Sequence, residues 1–174
     1  TRKEKMMARI EKSTDEKTII GTQALAPCIA FMLYQKENKK AIVGHLSSNY
    51  FLTNGAVELM FSRIGGLIAE ADLNNQEFDL YLIEGAYESL QRIYSTDIKI
   101  LGGTDQFRFT LLEALKLIIE RLPNVKIKSI KYELEQEDYE IVDEQGNLSN
   151  SDTALLSKRF AFDTETGQFV TNQV

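Results

Sequence analysis

The most constraining stretch of this chain runs from Thr22 to His45, TQALAPCIAFMLYQKENKKAIVGH, and holds the only cysteine and the only histidine in 174 residues. Ile29, Phe31 and Leu33 alternate with Ala30, Met32 and Tyr34, which is the period-two pattern of a strand. A polar run from Gln35 to Lys40 follows, and then Ala41, Ile42 and Val43. Two apolar runs around a short polar one predict a β-hairpin. If Tyr34 pairs with Lys39 across a four-residue loop, Cys28 falls opposite His45. Opposed residues of an antiparallel pair share a face, with Cβ atoms about 4.5–5.5 Å apart, near thiol–imidazole hydrogen-bond reach. A thiol is mostly protonated at neutral pH, its thiolate is the nucleophile, and an imidazole beside it can take the proton. The alternative is that Cys28 is a small buried apolar residue and His45 is satisfied by backbone.

The same residues resemble a known family. TIIGTQALAPCIAFMLYQKENKKAIVGHLSS is similar to the chemotaxis protein deamidase family CheD, in which a Thr-Leu-Gly-Leu-Gly-Ser-Cys run precedes a strand, a turn and a strand ending in His. The Thr-to-Cys and Cys-to-His spacings land on Thr22, Cys28 and His45. YLIEGAYES resembles the family's Gly-Gly-Ala strand end, and KRFAFDTETGQFV resembles its terminal hairpin, so the likeness spans residues 18–170. It implies an α+β fold, a layered α/β sandwich of mixed, largely antiparallel sheets flanked by helices, with Cys28 and His45 on adjacent antiparallel strands. It also implies Cys28 as nucleophile, His45 as general base and acid, and Thr22 orienting the imidazole. The reaction implied is hydrolysis of a protein carboxamide, with glutamine the expected substrate and asparagine the alternative, and it calls for no cofactor. The same thiol–imidazole core recurs, by resemblance, in N-terminal asparagine amidohydrolase and in the cytotoxic necrotizing factor toxins.

The chain departs from that pattern where the substrate loop lies. Ala24 and Ala26 replace glycines, and Pro27, which lacks an N–H, stands where the family has serine. Oxyanion or substrate contacts then fall to Gln23, Pro27 or Gly85. A catalytically inactive protein-binding module of the same fold is the alternative reading.

Length and charge narrow the remaining classes. One domain is expected, residues 18–174, preceded by an arm over residues 1–17 that reads as a short helix or a solvated lead-in. The formal charge of −6 and the absence of a basic stripe argue against nucleic acid as partner. One histidine and one cysteine supply only half of a zinc shell. No run approaches the roughly 18 apolar residues of a membrane span, and the first residues show no apolar leader core, so a cytoplasmic protein is expected. The implied partner is a protein bearing a reactive glutamine or asparagine, with a regulatory protein as a further possibility.

Along the chain, Thr53 or Asn54 caps a helix whose buried stripe is Val57, Met60, Ile64, Leu67 and Ile68. Gly65-Gly66 within it suggests close packing on a sheet. Tyr50 and Phe51 read as a staple for that helix. Phe78–Ile83 suits a central strand, with Glu84 at its end expected to face solvent. FRFTLLEALKLIIERLP is a second helix stopped by Pro123, and Val125 to Tyr132 is a further strand. Leu101-Gly102-Gly103-Thr104 is a second candidate for the Gly-Gly element. The acidic run near residues 133–152 reads as a solvated surface, and the chain closes with a hairpin turning at Thr166-Gly167.

Overall fold

The computed structural model describes residues 8–14, 16–25, 29–46, 56–85, 111–132, 139–142 and 155–170. The chain adopts an α+β fold in three layers. A five-stranded sheet forms the middle. It comprises β1 (Ala8–Lys12), β3 (Ile29–Gln35), β4 (Lys40–Leu46), β5 (Glu77–Ile83) and β6 (Lys126–Tyr132), in the order β1-β4-β3-β5-β6. A four-stranded sheet covers one face: β2 (Ile19–Leu25), β8 (Leu155–Asp163) and β7 (Tyr139–Val142), with β9 (Gln168–Phe169) paired to β8. Helices α1 (Ala56–Glu70) and α2 (Leu111–Arg121) cover the other face. All described pairings are antiparallel except β5 with β6. That parallel pair requires a crossover connection, and α2 lies within it.

The middle sheet is buried on both sides, and the alternation in β3 says how. Ile29, Phe31 and Leu33 join the helix-side core with Met60, Ile64, Ile68, Leu80 and Ile118. Ala30, Met32 and Tyr34 join the intersheet core with Ile20, Leu25, Tyr81, Phe160 and Phe162. A strand apolar at every position fits a place between two layers. On the helix side Phe31 stacks on Phe61, centroids 5.9 Å apart. Between the sheets Phe162 meets Tyr34 edge-on at 4.9 Å and Phe169 at 5.1 Å, geometries that aromatic quadrupoles favour.

Polar clamps lock the second sheet onto the first. The Tyr34 hydroxyl donates to the carbonyl of Thr164 at 2.7 Å, and within the second sheet the Thr164 N–H donates to the carbonyl of Thr18 at 2.8 Å, fixing that acceptor in place. Burial, reinforced by nearby Tyr81, raises the Tyr34 phenol above its ordinary range. Its neutral form therefore belongs to the folded state, and that contribution is complete below the free phenol range and lost as pH rises from there through the raised folded value. The Lys39 ammonium donates to Glu165 at 2.9 Å, which raises the lysine above its ordinary range through the hydrogen bond and then the charge.

Several expectations are corrected. The stretch expected as a short helix or frayed arm contains β1, an edge strand antiparallel to β4. Its charged composition suits an exposed sheet edge, where charge discourages pairing with other chains. The hairpin turns one residue later than expected, at Lys36–Lys39, with Gln35 opposite Lys40 and Lys39 in the left-handed region at φ 53. Within the acidic run expected as solvated surface, Tyr139–Val142 forms β7 against β8. The helix predicted from its Met60/Ile64/Ile68 stripe is α1, and Phe61 adds a buried position. The terminal hairpin turns where predicted, with Gly167 at φ +70.

Gly65 and Gly66 do not mark close packing, because a Cβ on either meets nothing within 4 Å. A helix-interior glycine is about 0.8–1 kcal/mol less favourable than alanine. Gly66→Ala, at an exposed position, is therefore expected to stabilise the chain by about that amount. Thermal unfolding should show a rise of roughly 2–4 °C. An unchanged or lower midpoint would mean that the glycine is required.

Candidate active site

His45 lies on β4 between two neighbours in the sheet, Arg9 on β1 and Ala30 on β3. Alternation along β4 places Ala41 and Val43 in the intersheet core and Ile42 and Leu46 in the helix-side core. His45 follows the first set and faces the second sheet. It is buried, at 3 % exposure. There it meets Thr22 of β2, whose Oγ1 lies 3.1 Å from His45 Nδ1. The two members of this pair come from different sheets, so their contact depends on how the sheets stack.

A β-bulge in β2 follows Thr22 directly. Thr22 pairs with Phe160 and Leu25 with Lys158, so two residues of β2, Gln23 and Ala24, stand against Arg159 alone. Ile20 and Leu25 are both buried in the intersheet core, yet they are an odd number of positions apart. On an uninterrupted strand they would point to opposite faces. The extra residue restores both to the inside while Thr22 keeps its place on His45. Bulges commonly re-aim side chains beside active sites.

Gly21, the residue before Thr22, lies hard against β8. A Cβ there would overlap the carbonyl oxygen of Phe160. The close approach of β2 to β8 beside Thr22 thus requires a residue without a side chain.

The expected register is corrected by two residues: Ala30, not Cys28, stands opposite His45. A shift of two preserves the faces, because the side-chain period is two. Cys28 and Pro27 lie outside the described residues, as do Tyr50, Phe51, Thr53, Asn54 and the Leu101-Gly102-Gly103-Thr104 segment. By sequence Cys28 is joined directly to Ile29, the first residue of β3, which pairs with Leu46, the neighbour of His45. Gln23 is in the β2 bulge. Gly85 is buried two residues beyond Ile83, which pairs with Ala30. The start of β3 and the ends of β4 and β5 therefore meet at one end of the middle sheet.

Glu84, expected to face solvent, is instead 2 % exposed. Nothing in the alternation of FDLYLIEG signals it, since the strand ends before it and local polarity suggested an exit to solvent. Among the described residues no group of three or more His, Cys, Asp or Glu side chains is arranged to hold a metal ion. No helix among them is long and apolar enough to cross a membrane.

No family model matches this chain, and no curated protein matches its sequence.

Proposed function

We propose that this chain is a cysteine-dependent amidohydrolase, with a protein glutamine side chain as its substrate, Cys28 as nucleophile and His45 as general base and acid. The observation that carries this reading is the 3.1 Å Thr22–His45 contact between two sheets, made by two of the three residues whose spacing resembles the deamidase motif. A threonine held on Nδ1 suits a positioning role. When Nδ1–H donates to Oγ1, Nε2 is left as the basic nitrogen. Residues in that arrangement need no metal for the chemistry.

In the proposed reaction the Cys28 proton passes to His45 and Sγ attacks the carboxamide carbon. The carbonyl oxygen of the tetrahedral intermediate is held by hydrogen-bond donors at the converging strand ends. The C–N bond then breaks, with the nitrogen taking the proton from His45 to leave as ammonia. Water hydrolyses the thioester to give glutamate and the free thiol. Pro27 supplies no N–H, which restricts the donors to other groups such as Gln23 or the backbone near Gly85.

The test is alkylation of Cys28 by iodoacetamide as a function of pH, in the native chain and in His45→Ala. A general base of this kind typically contributes about a hundredfold or more. Alkylation of the native chain at neutral pH should be fast, and His45→Ala should be slower and have its profile displaced to higher pH. A thiol equally slow in both proteins would remove the nucleophile–base pair. Deamidation of a carboxamide substrate would be read as a mass gain of about one dalton with release of ammonia.

The rebuilt loop motivates the second reading, a protein-binding module without turnover. Ala24, Ala26 and Pro27 occupy positions where the resembling family has two glycines and a serine. An alkylation rate indifferent to His45 would favour it.

A further inference from the structure

β6 is an outer edge of the middle sheet: it pairs with β5 on one side, and among the described residues no strand pairs with its other side. Its sequence, KIKSIKY, carries three lysines and no acidic residue. The register with β5 sorts these side chains onto two faces. Ile127, Ile130 and Tyr132 pair with Phe78, Leu80 and Leu82, which belong to the helix-side core. Lys126 and Lys131 pair with Glu77 and Tyr81 on the opposite face, where Lys131 Nζ lies 5.1 Å from the centre of the Tyr81 ring. Lys128 is the extra residue of a bulge between them. We infer that this edge is a docking site for an extended protein segment in which apolar residues alternate with aspartate or glutamate, bound as a sixth strand of the sheet.

Exposed apolar surface is concentrated beside this edge. Of the seven large apolar side chains exposed among the described residues, four are Leu112 and Ile119 of α2 and Ile130 and Tyr132 of β6. Leu112 and Ile119 are seven positions apart and so share one face of the helix. Ile119 and Ile130 line one open groove between the helix and the strand. Exposed apolar side chains next to unpaired backbone invite association, and chains ordinarily avoid the combination. A strand laid along β6 would set every second side chain over the groove and take up the unpaired N–H and C=O groups.

The lysines decide the occupant. β1, the other edge of the sheet, carries both charge signs in Arg9, Glu11 and Lys12, whereas β6 carries one. A second copy joined edge to edge would bring two lysine-rich strands together, and like charges across a ladder are destabilising. Acidic residues at alternate positions of an added strand would instead meet Lys126 and Lys131. Glu77 and Asp79 of β5 share that face but stand about 9.5 Å from an added strand, beyond the Debye length of about 8 Å. Two strands, β3 and β5, separate β6 from the strand of His45, so docking here is distinct from the proposed chemistry.

The probe is a fluorescein-labelled peptide, Val-Glu-Ile-Asp-Val-Glu-Tyr-Asp. By fluorescence anisotropy it should bind the native chain saturably and one to one, and hydrogen exchange at the β6 amides should slow when it is bound. A peptide of the same charge with prolines at its two central positions cannot complete the ladder and should bind about tenfold more weakly or worse. Lys126→Glu/Lys131→Glu and, on the other face, Ile119→Ser/Ile130→Ser should each weaken binding by about tenfold or more. All four positions are exposed, which favours folding of both variants, and circular dichroism establishes it. Absence of saturable binding to the native chain would overturn the inference, as would equal affinity for the proline peptide or native-like affinity in either folded variant. Slowed exchange at β6 in the native chain alone, at concentrations where sedimentation shows a dimer, would overturn it too, by making a second copy the occupant.

Discussion

Phe162→Ala should remove about 4 kcal/mol of stability, in the range measured for large aromatic side chains cut to alanine in a core. Typical domains have only about 5–15 kcal/mol in total. Phe162 is fully buried and contacts the rings of Tyr34, Tyr81 and Phe169. It therefore joins strands of both sheets. Phe162→Leu keeps most of the volume and should lose about 1.5 kcal/mol or less. Urea unfolding followed by circular dichroism measures both. A loss below about 1 kcal/mol for the alanine variant would mean that the sheets are held together elsewhere. The proposed activity should fall as well, because Thr22 reaches His45 only while the sheets remain stacked.

Gly21→Ala is expected to act on the same contact from the backbone side. A side chain in a strand ordinarily improves on glycine by up to about 1 kcal/mol. Here the added methyl would occupy the position of the Phe160 carbonyl oxygen, and backbone cannot rotate aside as a flexible side chain can. Steric overlap should win, for a net loss of about 3 kcal/mol. Since β2 must lift from β8 to accept the methyl, Thr22 should also withdraw from His45. The chain has one histidine, so its imidazole nitrogen resonances can be assigned without ambiguity. Native-like stability with unaltered resonances in Gly21→Ala would show that the close approach is dispensable. The opposite sign expected for Gly66→Ala makes the pair informative: the same substitution is decided by what surrounds the new atom.

The sequence readings succeeded where a signal was local. Alternation through Ile29–Tyr34, the helical stripes of α1 and α2, the apolar run of β5 and the Thr166-Gly167 turn each lie within one element. The α+β class followed from them. The hairpin register did not, because it depends on which residue of the polar run takes the left-handed conformation, and Lys39 is an unremarkable choice for it. β1 was missed because an edge strand gains more from charge than from apolar alternation. Which strands belong to which sheet was hidden, since β2 finds its partner near the far end of the chain. At the site, spacing and resemblance brought Thr22 and His45 into one hypothesis, and the structure brings them into contact. The β2 bulge had a readable trace in the odd separation of Ile20 from Leu25, but that trace has meaning only once both are known to be buried on one side.

The joining of distant segments also bears on how this chain is made. Tyr34 binds Thr164, 130 residues further on, and Thr22 is paired with Phe160. Contacts so far apart in sequence close slowly, because the entropy of bringing the ends together is lost before any contact is gained. During synthesis the hairpin of β3 and β4 can form early, with His45 already in place on it. Its threonine partner cannot be fixed until β8 has emerged from the ribosome. A nascent or C-terminally clipped chain would thus carry an imidazole without its anchor, and the complete pair would be a property of finished molecules only.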